Sequence, residues 1–178
     1  MKRWILIMAM LVPLVLDAQK SPVDKLFEKY ANQKGFTTVN ISGKLLGFAG
    51  KMDIDNPETS KMLNNLTGIR ILSVDDDDLN GKVDFYQELE NDGFFKNNNY
   101  ESLMDVTEDT QVVRFYAREA GGGKFSELLL VVGGKDDNTL ISIRGLIDPE
   151  NIGKITGALD VDIEVDKGVD IEVKKEKK

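Results

Sequence analysis

Hydrophobic and polar positions follow two different periods along this chain. Between Pro22 and Tyr30 the apolar residues Val23, Leu26, Phe27 and Tyr30 recur three and four apart, the spacing of one helix face. Ser21 can cap that helix, Pro22 suits its first position, Asp24 lies in its first turn and Gly35 can end it. A second helical pattern starts at Asn56-Pro57 and runs through Leu66, with Met62, Leu63 and Leu66 inward. A third places Val83, Phe85, Tyr86 and Leu89 together before Gly93. Asn99 reads as the cap of a short helix that buries Tyr100, Leu103 and Met104. Asp148-Pro149 reads as the start of a last helix reaching Leu159.

Strand-like runs fill much of the rest. Phe36–Ser42 and Gly68–Val74 are rich in β-formers. From Thr110 the period changes, and 110–119, 124–133 and 138–147 form three runs separated by Gly-rich and Gly-Lys-Asp-Asp turns. Connections that short imply an antiparallel meander. Leu128 to Val132 is apolar at every position, which fits a strand covered on both sides. Gly43–Gly50 is a short apolar segment that predicts a helical turn. Its glycines lack the Lys-Ser/Thr that a phosphate loop requires.

The reading is a single α+β domain built on a mainly antiparallel sheet. A C-terminal three-stranded meander is joined by the Phe36 and Gly68 strands, with helices packed on one face. The domain is expected over 19–158. The tail, 159–178, repeats Val-Asp-Ile-Glu-Val at Val161–Val165 and Val169–Val173 and ends in Lys-Lys-Glu-Lys-Lys. It reads as a short hairpin or as a disordered acidic and basic extension.

The N-terminus has a different logic. Lys2 and Arg3 precede an apolar run from Trp4 to Leu16, followed by Asp17, Ala18 and Gln19. A membrane span takes about 20 apolar residues, so this shorter run suits the core of a signal peptide over 1–18, cleaved near Ala18. Export to the periplasm or beyond is the expectation. Cleavage there would remove Lys2, Arg3 and Asp17 and take the net charge from -8 to -9.

Charge and composition exclude several functions. An acidic chain lacks the basic surface that nucleic acid requires and gains little from an anionic membrane. The sequence holds no Cys and no His. Thiolate chemistry, disulfides, the Ser-His-Asp triad and the usual zinc ligands are therefore absent. Carboxylate pairs such as Glu88/Glu90 and Glu108/Asp109 are frequent, but frequency is not geometry. No catalytic, cofactor-binding or metal residue is assigned, and no cofactor is expected. Arg70, Arg114, Arg118 and Arg144 fall on predicted strands, where they either gather on one sheet face or alternate outward singly.

The best ligand-like stretch is Asp76, Asp78, Asn80, Gly81, Asp84 and Gln87, which approaches the spacing of a calcium loop. Its closing position is Gln87, which lacks the two charged oxygens of a bidentate carboxylate, and a strand precedes it instead of a helix. The stretch therefore reads as a solvated strand-to-helix loop, with Asp78 or Asn80 as the cap.

Four blocks carry a family resemblance: 23–42 around Lys-Leu-Phe-Glu-Lys-Tyr, 63–74 around Gly-Ile-Arg-Ile-Leu, Tyr100–Val106, and 127–148 around Leu-Ile-Ser-Ile-Arg-Gly. Over roughly 23–155 the chain resembles a family of small exported Bacteroidetes proteins, the domain of unknown function DUF4252. The blocks are packing motifs, and the resemblance brings no catalytic residue with it. Genes of this family often neighbour those of sigma and anti-sigma factors, so the resemblance implies an envelope regulatory or accessory role. The expected function is that of a non-enzymatic exported cell-envelope protein binding a protein or peptide partner. The alternative is a calcium- or small-ligand-binding module using Asp76 to Gln87.

Overall fold

Ser21 caps the first helix, α1 (Pro22–Tyr30), as its sequence requires: its Oγ accepts the Asp24 N–H at 3.1 Å. Val23, Leu26, Phe27 and Tyr30 are all buried along one face. The computed structural model describes residues 21–52, 56–91, 93–135 and 137–158, together with the backbone of Val161–Val165 and Val169–Val173. The expected leader at 1–18 and its cleavage bond lie outside the described residues. No described helix is long and apolar enough to cross a membrane.

The chain continues through β1 (Phe36–Ser42), α2 (Gly43–Met52), α3 (Pro57–Asn65), β2 (Leu66–Val74), α4 (Asp77–Asn80), α5 (Phe85–Asn91) and α6 (Phe94–Asn97). The strands β3 (Tyr100–Glu108), β4 (Gln111–Gly121), β5 (Lys124–Gly134) and β6 (Thr139–Ile147) follow. A 3-10 turn (Pro149–Asn151) and α7 (Ile152–Ala158) lead to β7 (Val161–Val165) and β8 (Val169–Val173). Asn56 caps α3 as predicted, its Oδ1 accepting the Thr59 N–H at 3.2 Å. Asp148 makes no such side-chain bond at the last helix. The two Val-Asp-Ile-Glu-Val repeats pair antiparallel, Ile163 opposite Ile171.

Six strands form one antiparallel sheet in the order β1-β2-β6-β5-β4-β3. The α+β class and antiparallel sheet hold, with two corrections of detail. The meander has four consecutive strands, because Tyr100–Glu108 is β3 and not a helix. The helices also cover both faces of the sheet. On one face α1, α5 and α6 bring Phe27, Phe85 and Phe94 onto Leu72, Leu129 and Leu140. On the other, α2, α3 and α7 bring Leu46, Met62 and Ile155 onto Ile141, Leu128 and Leu130.

Two-sided cover explains the unbroken apolar run of β5, whose residues Leu128 to Val132 are all buried. Leu130→Ala is expected to destabilise the domain by about 2–5 kcal/mol, the usual cost of emptying such a site. A urea midpoint equal to that of the parent protein would contradict its burial.

Candidate functional site

One row of cross-strand neighbours runs over all six strands: Ser42, Gly68, Arg144, Glu127, Arg118 and Tyr100. The adjoining row begins with Asn40, Arg70 and Ser142. Period-two alternation puts these residues on the sheet face that α1 covers. The apolar core of that face therefore gives way, at one end, to a polar band.

Glu127 is the centre of the band and only 1% exposed. Its Oε1 accepts Ser142 Oγ at 2.6 Å and Arg144 Nε at 3.0 Å. Its Oε2 accepts the Tyr100 hydroxyl at 2.8 Å and lies 3.4 Å from Arg118 Nη2. Asp24, at the start of α1, bridges Arg70 Nη1 at 2.5 Å and Arg144 Nη1 at 3.0 Å. Arg70 also donates Nε to Asn40 Oδ1 at 3.1 Å and stacks 3.8 Å from the Phe27 ring centroid. Burial alone would raise the Asp24 carboxyl, but Arg144, Ser21 and Arg70 together hold it below its ordinary value. Burial opposes the charge of Arg144 too, and Glu127 and Asp24 more than offset it.

Burial, and then the Glu127 carboxylate, push the Tyr100 phenol well above its ordinary value. The folded state thus holds the phenolic proton more tightly than the unfolded chain does. Stability from neutral Tyr100 is complete below the unfolded value, about 10, and is lost as pH rises beyond it. Tyr100→Phe is expected to flatten that alkaline loss. Urea midpoints measured across this range check it, and parallel curves for the two proteins would refute it.

Asn40, Ser42, Gly68, Arg70, Ser142 and Arg144 line a cleft of about 380 Å³ at the β1 end of the band. Gly68 stands in the row between Ser42 and Arg144, where an added Cβ would lie 3.2 Å from the Ile41 carbonyl oxygen. The two charged residues lining the cleft, Arg70 and Arg144, are both paired with Asp24, and Arg144 also with Glu127. Ser42 also begins α2, its Oγ accepting the Leu45 N–H at 3.3 Å. On α2 the inner residues Leu46 and Gly50 are buried, and Gly50 lies close against Ser60 of α3. Leu45, Phe48 and Met52 recur on the opposite side and are 57%, 61% and 68% exposed.

Of the four arginines singled out in the sequence, Arg70, Arg118 and Arg144 meet in the polar band. Arg114 pairs separately with Asp105 at 2.9 Å and lies 4.1 Å from the Tyr86 ring centroid. Asp24 and Glu127 had no sequence signal as a pair. Glu127 could have been marked as an acid two residues before Leu129, on the inward side of an apolar strand.

The acidic loop does not converge. Asp76 caps α4, its Oδ1 accepting the Asp78 N–H at 2.9 Å. Asp84 Oδ1 likewise accepts the Gln87 N–H at 2.9 Å at the start of α5. The caps are thus Asp76 and Asp84, not Asp78 or Asn80. Asn80 is buried, and its backbone carbonyl accepts Asn138 Nδ2 at 3.1 Å. Among the described residues no three acidic side chains gather as a metal cluster. Calcium titration is expected to reveal no stoichiometric site tighter than about 1 mM, the weak limit for extracellular modules. A tighter site abolished by Asp78→Ala would overturn this.

An antiparallel α+β domain, with a polar band under its first helix and an apolar stripe on its second, is the class of protein defined here. The chain belongs to the family described as a domain of unknown function, DUF4252, which matches residues 30–155. No curated protein and no solved structure matches significantly.

Proposed function

We propose that this is a non-enzymatic, exported cell-envelope protein that binds a protein or peptide partner through the outer side of α2. The exposed stripe Leu45, Phe48 and Met52 carries this reading. Side chains spaced by three and four along a helix form one continuous apolar strip, a common form of partner recognition. Such a strip gains its free energy when a partner removes it from water. Export rests on the order Lys-Arg, apolar run, Asp-Ala-Gln at the N-terminus. The lack of Cys and His supports a binding role over catalysis.

A photoreactive side chain placed at position 48 in the native envelope tests the reading. It should yield a discrete cross-linked protein, and one placed at Gly122 in the β4–β5 turn should not. Cross-links to lipid only, or none, would refute it. Intact-mass analysis of the envelope fraction tests export, since a retained 1–18 segment would contradict it.

A further inference from the structure

We infer that the partner met by α2 is a second copy of this chain, joined edge to edge through β1 so that two six-stranded sheets become one continuous sheet. This rests on the reading of α2 above and names its partner.

Among the described residues β1 and β3 are the two outer strands of the sheet, and their edges differ in chemistry. β3 carries Glu101, Asp105 and Glu108 and has a bulge between Ser102 and Met104, features that blunt an edge against further pairing. β1 has no charged residue and no proline, and its register with β2 is unbroken from Phe36 to Ser42. Asp75 donates its N–H to the Gly35 carbonyl at 2.9 Å, and Val74 donates to the Asn138 carbonyl at 3.0 Å on the β6 side. Alternation along the ladder then gives Thr37, Val39 and Ile41 the bonds to β2. It turns the N–H and C=O groups of Thr38 and Asn40 to the open edge. These two residues bracket Val39, the middle residue of β1. A second β1, antiparallel about a twofold axis at Val39, sets Thr38 opposite Asn40 of the second copy and Asn40 opposite its Thr38. All seven residues of the strand then overlap, and the contact is self-complementary.

The same axis covers two apolar surfaces. Val39 alternates onto the sheet face where Ile41 joins the core under α2, and it is 38% exposed. On the axis it meets Val39 of the second copy in a non-hydrogen-bonded pair, where side chains stand closest. On α2, Gly47 lies close against Asn64 and Gly50 against Ser60 of α3. A turn of about 100° per residue puts Leu45, Phe48 and Met52 on the side away from α3, towards the β1 edge. α2 rests on both β1 and β2. Strands lie about 4.8 Å apart, so helices over two adjoining β1–β2 pairs would stand about 10 Å apart, a normal spacing for packed helices. The exposed stripe of α2 thus meets its own copy above the strand seam.

The sequence has no Cys, so Val39→Cys supplies a single thiol for the test. Opposed Cα atoms in a non-hydrogen-bonded pair are about 4.5 Å apart, within the disulfide range of about 4.4–6.8 Å. Thr37 would stand opposite Ile41 of the second copy, and roughly 14 Å from its own equivalent. Oxidised glutathione should therefore link Val39→Cys into a dimer and leave Thr37→Cys unlinked. Sedimentation of the unaltered protein at about 100 μM should show twice the monomer mass at physiological ionic strength, where charge repulsion between copies is screened within about 8 Å. Val39→Lys sets like charges on the axis and should restore the monomer. Its circular dichroism should be unchanged, since Val39 is exposed. A monomeric parent protein, equal linkage at both cysteine positions, or linkage at neither would overturn the self-pairing. A monomer whose position 48 still captured a different protein would leave the α2 reading standing, so the two fail separately.

Discussion

Glu127→Ala is expected to destabilise the domain by about 3–5 kcal/mol, the usual consequence of removing one member of a buried charge network. The cost comes from what remains. Ser142, itself fully buried, loses the carboxylate that accepts its hydroxyl at 2.6 Å. Tyr100 loses its acceptor, and Arg144 keeps its charge beside Asp24 with one counter-charge fewer. Glu127→Gln keeps an acceptor oxygen and should cost less. Urea unfolding with an unchanged slope is the measurement. Equal stability of the alanine variant and the parent would mean that the band does not depend on its central carboxylate.

Phe27→Ala is expected to cost a similar amount, about 3–5 kcal/mol, for a different reason. The ring is 1% exposed between α1 and the sheet, so truncation opens a cavity in the core. It also removes the surface on which the Arg70 guanidinium lies. Denaturant unfolding reports the first effect. Broadening or movement of the Arg70 Nε–H signal reports the second. A small change in the midpoint would place the α1 face outside the cooperative core.

The elements that announced themselves in the sequence are those whose local chemistry agrees with their tertiary position. Ser21-Pro22 and Asn56-Pro57 start helices because cap and proline act within one turn. The strand β1 matched its predicted bounds, Phe36–Ser42. Tyr100–Glu108 misled for a structural reason. The register of β3 shifts between Ser102 and Met104, so that Tyr100 packs with one core cluster and Met104 with the other. The bulge turns a strand period into spacings of three and four, which imitate a helix. Segment Gly43–Met52 concealed its length because its outward side is apolar, and this erased the two-sided pattern of an ordinary surface helix.

The polar band was legible only as four scattered arginines. Which of them meet depends on β6 lying between β2 and β5, and no local pattern encodes that order. The acidic loop showed the opposite fault. Its calcium-like spacing was conspicuous, yet Asp76 and Asp84 serve as helix caps at separate turns.

The insertion of β6 also sets the order in which the domain can assemble. Ile71 on β2 pairs with Ile141 on β6, and Leu130 on β5 pairs with the same residue from the other side. A growing chain can form the β1–β2 and β3–β4–β5 groups from near neighbours. Each group then presents an open strand edge until the segment ending at Ile147 arrives and closes both. Distant pairing of this kind slows folding and prolongs exposure of unpaired edges. A chain that stops before Thr139 is left with two such edges and no means of joining them, so its natural fate is association with other chains.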